Sequence, residues 1–156
     1  MGTRFKSSLE QTLALNTWVK LSRAKESVGR QLQPCLGQYG VTRPQFGVLE
    51  MLYHLGTLNQ TVIGKKLLVS GGNVTMLVDN LEKHSWVERR RSTRDRRVIM
   101  VHLTSAGKAI IEQVLPMHVE ALTSALAVLT LTERETLGML CKKLGRGQMN
   151  DPIGTG

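Results

Sequence analysis

Ten consecutive residues near the middle of the chain, 88–97, read ERRRSTRDRR and place six arginines around a single aspartate, Asp95. Charged side chains are very costly to bury without partners, so this stretch must lie at the surface. Residues 99–103 alternate between apolar and polar side chains, which is the period of a β-strand. The segment WVERRR fits a preceding strand, so the sequence predicts a β-hairpin with the exposed tip STRDR.

The positive charge of the chain is concentrated around this hairpin. The 156 residues carry a formal net charge of +9. Residues 83–97 hold seven lysines and arginines against two acids, which gives a local net charge of +5. Such a concentration indicates a binding site for a polyanion rather than a generally basic surface.

Apolar residues at helical spacing dominate the rest of the chain. A capping box of Thr42 and Gln45 predicts the start of the second helix, and a second box, Thr132 with Glu135, predicts the start of the last helix, which Gly145 is expected to end. A glycine within the third helix, Gly64, predicts a close crossing of two helices. The expected helices cover about the first forty residues and then 43–55, 61–69, 71–86, 105–129 and 133–144.

Three short helices between 42 and 84, followed by a basic hairpin, predict a winged helix-turn-helix. The major groove of DNA admits one α-helix, and the exposed face of the fourth helix offers donors, acceptors and a thioether to base edges. A merely solvated helix face is the alternative, and the adjacent arginines favour DNA binding. The candidate DNA-binding residues are Ser70, Gly71, Asn73, Thr75, Met76, Asn80, Lys83, Arg89, Arg94, Arg96 and Arg97.

The stretch LLVSGGNVTMLVDNLEKHSWVERRRSTRDRRVIMVHLTSAG resembles the recognition helix, wing and following helix of the multiple antibiotic resistance regulator (MarR) family of bacterial transcription factors. The most specific part is DRR followed by VHLTSAGK. GVTRPQFGVLEML and LTLTERETLGMLCKKL fit the second and last helices of that family. The resemblance implies that Asp95 orients the wing by pairing with an arginine, and that Arg97, with Arg96 or Arg94, enters the minor groove.

The resemblance also implies a homodimer on double-stranded DNA, with each subunit reading one half of an inverted-repeat operator. The terminal helices independently carry more apolar surface than a DNA-binding lobe of about fifty residues can cover. The expected fold is mainly α with a small β-hairpin wing, a winged helix-turn-helix with N- and C-terminal dimerisation helices. Residues 1–41 and 104–146 would form the dimerisation region, 42–103 the DNA-binding lobe and 147–156 a flexible tail.

Many members of that family bind aromatic carboxylates or phenols between the dimer helices and the DNA-binding lobe, so the resemblance allows a small-molecule effector. Arg23 and Arg43 are the candidates to meet an anionic effector, and an ordinary surface arginine is the alternative for each. Peroxide-sensing members carry a reactive cysteine in the first helix, where Trp18 stands here. Cys35 and Cys141 are expected to be small buried hydrophobes.

The sequence offers no nucleophile–base pair, phosphate-binding glycine loop or carboxylate cluster, so an enzyme is not expected. The spacing of its four histidines does not match a zinc site, and no cofactor or metal is expected. Neither a secretory signal nor a membrane span is evident, and the two cysteines fit the cytoplasm.

Two functions remain open at this point. One is a dimeric, sequence-specific transcriptional regulator, usually a repressor in the family that the sequence resembles. The other is a non-specific or architectural DNA-binding protein. The patterned polar face of residues 73–80 favours the first, because coating DNA requires only charge.

Overall fold

The computed structural model describes residues 8–148, and the chain divides after Leu122 into two compact units. The described residues are mainly helical, with one small antiparallel sheet. In chain order the elements are α1 (Leu9–Gly37), α2 (Arg43–Leu55), β1 (Leu58–Asn59), α3 (Gln60–Leu67), α4 (Gly71–Lys83), β2 (Val87–Arg91), β3 (Ile99–Leu103), α5 (Ser105–Ala125) and α6 (Leu131–Gln148).

The predicted hairpin is confirmed, and the structure adds a third strand to it. Strand β3 lies at the centre of the sheet, with β2 on one side and β1 on the other, both antiparallel to it. Val101 therefore pairs with Arg89 across one edge and with Leu58 across the other. The sequence did not predict β1, because two residues are too short to show a period.

The helix boundaries follow side-chain caps. The predicted box at the start of α2 is confirmed, since Thr42 Oγ1 accepts from the backbone N–H of Gln45 at 3.3 Å and Gln45 Oε1 accepts from that of Thr42 at 2.9 Å. A box that the sequence analysis did not single out opens α1, where Ser8 and Gln11 make the reciprocal pair. Each box satisfies two backbone donors that have no partner inside the helix.

The predicted start of the last helix was wrong by two residues. Thr130 and Glu133, rather than the Thr132–Glu135 pair, form the cap: Thr130 Oγ1 accepts from the backbone N–H of Glu133 at 3.3 Å, and Glu133 Oε2 accepts from that of Thr130 at 2.8 Å. Both pairs satisfy the same sequence pattern, and the helix takes the earlier one, so that it begins at Leu131.

The predicted end of the last helix was also wrong. Gly145 lies inside α6, which continues to Gln148. A glycine stops a helix when it adopts a left-handed conformation, and Gly145 does not have a positive φ. The predicted flexible tail, 147–156, therefore begins within the helix, and residues 149–156 lie outside the described residues.

The hydrophobic core fills the space between α2, α3, α4, the sheet and one face of α5. Val74, Val78 and Leu81 are the buried residues of α4 and lie on its inner face. A Cβ on Gly64 would stand 3.2 Å from a methyl of Val74, which is the close helix crossing predicted there. The core residues are Leu36, Val41, Phe46, Val48, Leu49, Leu52, Ile63, Val74, Val78, Leu81, Val87, Val101, Ile111 and Val114.

The two cysteines differ in environment. Cys35 is half-buried against the core, as expected, and its thiol donates to the carbonyl of Leu32 at 2.9 Å. Cys141 is exposed on α6, so the expectation that it is buried was wrong for the single chain. Within residues 8–148, every helix is too short or too polar to cross a membrane.

Candidate nucleic-acid interface

Helix α4 turns a continuous polar face outwards. Ser70 caps its N-terminus, with Oγ accepting from the backbone N–H of Asn73 at 3.3 Å. In the part of the chain that the structure describes, no side-chain hydrogen bond occupies the amide of Asn73 or Asn80. Both amides are therefore free to pair with a base edge. The exposed residues at this face are Ser70, Gly71, Asn73, Thr75, Met76, Asn80 and Lys83.

The hydroxyl of Thr75 is already engaged within the protein. Oγ1 donates to the carbonyl of Gly71 at 3.0 Å and accepts from Nε2 of Gln60 at 3.2 Å. A hydroxyl has one hydrogen and two lone pairs, so one acceptor position remains. Thr75 can therefore offer an acceptor or its methyl group to DNA, but not a donor.

The tip of the wing is held in shape by its one aspartate. Oδ1 of Asp95 accepts from the backbone N–H of Arg97 at 3.0 Å and from its Nε at 3.2 Å, and Oδ2 accepts from Nη2 at 3.3 Å. These bonds, with that backbone N–H first, hold the pKa of the Asp95 carboxyl below its usual value. The side chain of Arg97 nevertheless remains 91% exposed.

The other arginines of the wing divide into paired and unpaired groups. Arg90 pairs with the neighbouring Glu88, and Arg91 donates from Nη1 to the carbonyl of Arg96 at 3.1 Å. Among residues 8–148, Arg94 and Arg96 have no acidic partner within salt-bridge distance, and both are exposed. Their positive charges are therefore the most available at the tip for binding a phosphate.

Arg89, a candidate DNA-binding residue, is engaged within the protein instead of being free at the surface. Its side chain is only 19% exposed and points at α4 instead of at solvent. It pairs with Asp79 and Glu82, and its Nε and Nη2 donate to Gln60 Oε1 at 2.8 Å and to the carbonyl of Thr75 at 2.9 Å. The physical reason is the strand period: Arg89 lies two residues after the buried Val87, so both face inwards.

Gln60, Asp79 and Glu82 were missed as partners in this region. Two sequence signals were available for the acids and the arginine. Asp79 and Glu82 stand three residues apart, which places them on one face of a helix. The strand alternation from Val87 places Arg89 on the inner face. No local sequence pattern indicates Gln60, which approaches through the packing of α3 on α4.

The two candidate effector residues are placed on different elements. Arg23 is exposed on α1 and Arg43 is exposed in the first turn of α2. The guanidinium of Arg43 lies against the backbone of α1 at Gly29, where an added Cβ would come within 1.9 Å of Nη1. The absence of a side chain at Gly29 leaves room for the arginine to lie across the helix in this position.

The central part of the chain, residues 41–99, matches the model of the MarR family. The HTH-type transcriptional regulator MhqR of Bacillus subtilis is 31% identical over 132 residues, which are 85% of this chain and 91% of that protein. The transcriptional repressor MprA of Escherichia coli is 38% identical over 72 residues, 46% of this chain and 41% of MprA.

The fold has close counterparts among solved structures. A cysteine-to-serine mutant of MarR from E. coli, complexed with operator DNA, superposes with a TM-score of 0.76 at 29% identity, over 88% of this chain and 99% of that one. Because MhqR is more than 30% identical along most of its length, and the structure of the MarR mutant on operator DNA shares the fold, the chain belongs to the MarR family and is a DNA-binding transcriptional regulator, not an enzyme.

Proposed function

We propose that this regulator binds an inverted-repeat operator as a homodimer. Helix α4 contacts the bases, and the wing contacts the flanking DNA backbone. The bound protein represses transcription until a small-molecule effector releases it from the DNA. Such a protein acts where the chromosome is, in the cytoplasm. Its relative MprA is named a repressor, which supports that direction of regulation.

The observation that carries the proposal is the pair of unengaged amides on the exposed face of α4. Asn73 and Asn80 stand seven residues apart, two helical turns, and so share one face. An asparagine amide can donate from its nitrogen to N7 of adenine and accept with its oxygen from the N6 amino group, which is the bidentate geometry that discriminates bases. A protein that coats DNA through charge alone has no use for free amides at this spacing.

The first experiment tests whether sequence is read at all. The purified protein is incubated with random duplexes of about three helical turns, and the bound fraction is amplified and sequenced through several rounds. We expect a pseudo-palindrome whose half-site centres are about 10 base pairs, one helical turn, apart. Selected pools that remain random would instead support the architectural DNA-binding protein.

Substitutions then assign the contacts on the selected duplex. Asn73→Ala or Asn80→Ala should lose discrimination at particular base pairs, at a cost of about 1–3 kcal/mol for a bidentate contact. Arg94→Ala or Arg96→Ala should weaken all sequences alike and lower the slope of log affinity against log salt by about one unit for each lost phosphate contact. Lys108→Ala, an exposed change on α5, is the matched control for net charge.

We propose that the effector is an aromatic or anionic small molecule that contacts Arg23 and Arg43. The support is the exposure of both cations and the position of the Arg43 guanidinium against α1. Salicylate is a suitable first probe, titrated into the protein–duplex complex. Release that Arg43→Gln abolishes, with DNA affinity unchanged in the absence of salicylate, would support the assignment, and release unaffected by Arg23→Gln and Arg43→Gln would refute it.

A further inference from the structure

We infer that Arg89 is a positioning residue that, together with Gln60, fixes the wing against the recognition helix and does not itself contact DNA. The inference deepens the proposed function, because sequence-specific binding is one of its readouts. It assigns to Gln60 a part in specificity although this residue lies on α3 rather than on the recognition helix.

The guanidinium of Arg89 is nearly saturated by the protein. An arginine has five N–H donors in a rigid planar fork. Four of them are used here, by Gln60 Oε1, Asp79 Oδ1, Glu82 Oε2 and the carbonyl of Thr75. A bidentate phosphate contact would have to displace at least one charge-assisted hydrogen bond, and such bonds are about twice as strong as neutral ones.

The backbone of the wing is fastened at the same point. The N–H of Arg89 donates to Oε1 of Glu82 at 2.8 Å, and Nη1 of Arg89 donates to Oε2 of the same carboxylate, also at 2.8 Å. Glu82 thus holds both the strand and its side chain. The angle between β2 and α4 is therefore set by hydrogen bonds with fixed directions, in addition to apolar packing.

The charge balance of this cluster also argues against a DNA contact. One arginine faces two carboxylates, Asp79 and Glu82, so the cluster has a formal net charge of −1 within an otherwise basic region. With this net negative charge, the cluster adds nothing to the attraction of a polyanion. Two acids next to a DNA-binding face repel DNA, and their presence is explained if they are needed to hold the arginine in place.

Gln60 extends the connection to a third element. Because arginine only donates, the amide oxygen of Gln60 must face Arg89, which leaves its nitrogen to donate to Thr75 Oγ1. Gln60 is the first residue of α3, so one amide joins α3, α4 and β2. It also fixes the Thr75 hydroxyl, one of the candidate base-reading groups, in a single orientation.

Arg89→Lys separates positioning from charge, because lysine keeps the cation but has no planar fork. Specific affinity is measured on the duplex that the wild type selects, and non-specific affinity on a scrambled duplex of equal length. We expect the ratio of the two affinities to fall roughly tenfold, as residues in one hydrogen-bond network are strongly coupled, with the salt slope unchanged. Arg90→Lys, at the next position of the strand, is the matched control and should leave the ratio unchanged.

Gln60→Met keeps the length of the side chain, removes both hydrogen bonds and changes no charge. It should lower the same ratio while the non-specific affinity and the salt slope stay at wild-type values. The midpoint of thermal unfolding is measured for each variant, and binding is compared only where all are folded. Retention of the full ratio by both Arg89→Lys and Gln60→Met would overturn the inference.

A readout without DNA keeps the inference separate from the proposed function. Amide hydrogen exchange of β2 in the free protein should become faster in Arg89→Lys and Gln60→Met, whereas the amides of α2 should exchange as in the wild type. If the wild type selects no sequence, the proposed function fails while faster exchange in β2 still supports the positioning role. Unchanged exchange in both variants would refute that role even if the wild type selects an operator.

Discussion

At the tip of the wing, the carboxylate of Asp95 accepts three hydrogen bonds of 3.0–3.3 Å from Arg97, two from its side chain and one from its backbone. The contact uses two of the five N–H donors of the guanidinium and leaves three for a ligand. The guanidinium is thereby held in one orientation and can still donate hydrogen bonds to a ligand. The one acid at the tip of the wing therefore restrains the flexible side chain of Arg97 in one direction.

Asp95→Asn should weaken binding to the selected duplex. A model based on charge alone predicts tighter binding, because the substitution removes a negative charge near DNA, so the two accounts differ in sign. The low pKa of Asp95 means that the carboxylate is ionised at neutral pH, and a titration at pH 7 compares the charged with the neutral group. Fluorescence anisotropy at two salt concentrations measures the effect, and tighter binding at both would show that the wing acts only through its charge.

Ser85→Gly should stabilise the protein. Ser85 follows the last turn of α4 with a φ of +58°, a left-handed conformation that costs an L-residue more than glycine. Its N–H donates to the carbonyl of Glu82 and that of Trp86 donates to the carbonyl of Leu81, so the turn itself is a Schellman motif that favours glycine. We expect a gain of about 0.5–1 kcal/mol in the free energy of unfolding, reduced by the greater freedom of glycine in the unfolded chain.

Urea unfolding of wild type and variant measures that gain. Ser85→Ala is the matched control, since alanine keeps the Cβ that is unfavourable at this φ and should not stabilise. A variant with glycine that is less stable than the wild type would contradict the strain assigned to this turn.

The wing could be predicted from the sequence because two independent signals coincide there. The period changes to that of a strand at Ile99, and a dense run of arginines must remain in solvent. The cap of α2 was predictable for a similar reason, since Thr42 and Gln45 act over only three residues. Local patterns of this kind fix local structure.

The features that were missed depend on long-range packing. Arg89 and Gln60 are 29 residues apart, and no local pattern brings them together. Strand β1 exists only because β3 is beside it. The pattern for a capping box occurs twice around residue 132, at Thr130 and at Thr132, and the local pattern does not decide between them.

His118 should make stability depend on pH. Its ring packs against that of Phe46 at a tilt of 35°, with centroids 4.2 Å apart, and among the described residues its buried Nδ1 has no hydrogen-bond partner. Burial lowers the pKa of His118 from 6.5, and the opposing effect of Glu50 is smaller. Between the folded pKa and 6.5 the unfolded chain binds more protons, so the free energy of unfolding falls as the pH decreases through this window.

Urea unfolding across that window measures this dependence in wild type and in His118→Phe. Phenylalanine keeps a ring against Phe46 and cannot be protonated, so the variant should lose less stability on acidification than the wild type does. An identical loss in both proteins would show that His118 does not contribute to the pH dependence.

Leu140→Glu should convert the proposed dimer to a monomer. Leu137, Leu140 and Leu144 recur at helical spacing on α6, and all three are exposed in the single chain. The helix has no buried residue among its described side chains, and an isolated helix of this length is marginal in water. Covering each leucine with a second copy contributes about 1.5–3 kcal/mol, so one glutamate at the centre of this row should be sufficient to separate the subunits.

Lys142→Glu, about 200° around the helix from Leu140, is the control and should leave the dimer intact. Sedimentation velocity at micromolar concentration distinguishes the two states, and a wild-type protein that sediments as a stable monomer would exclude the dimer and, with it, the inverted-repeat operator.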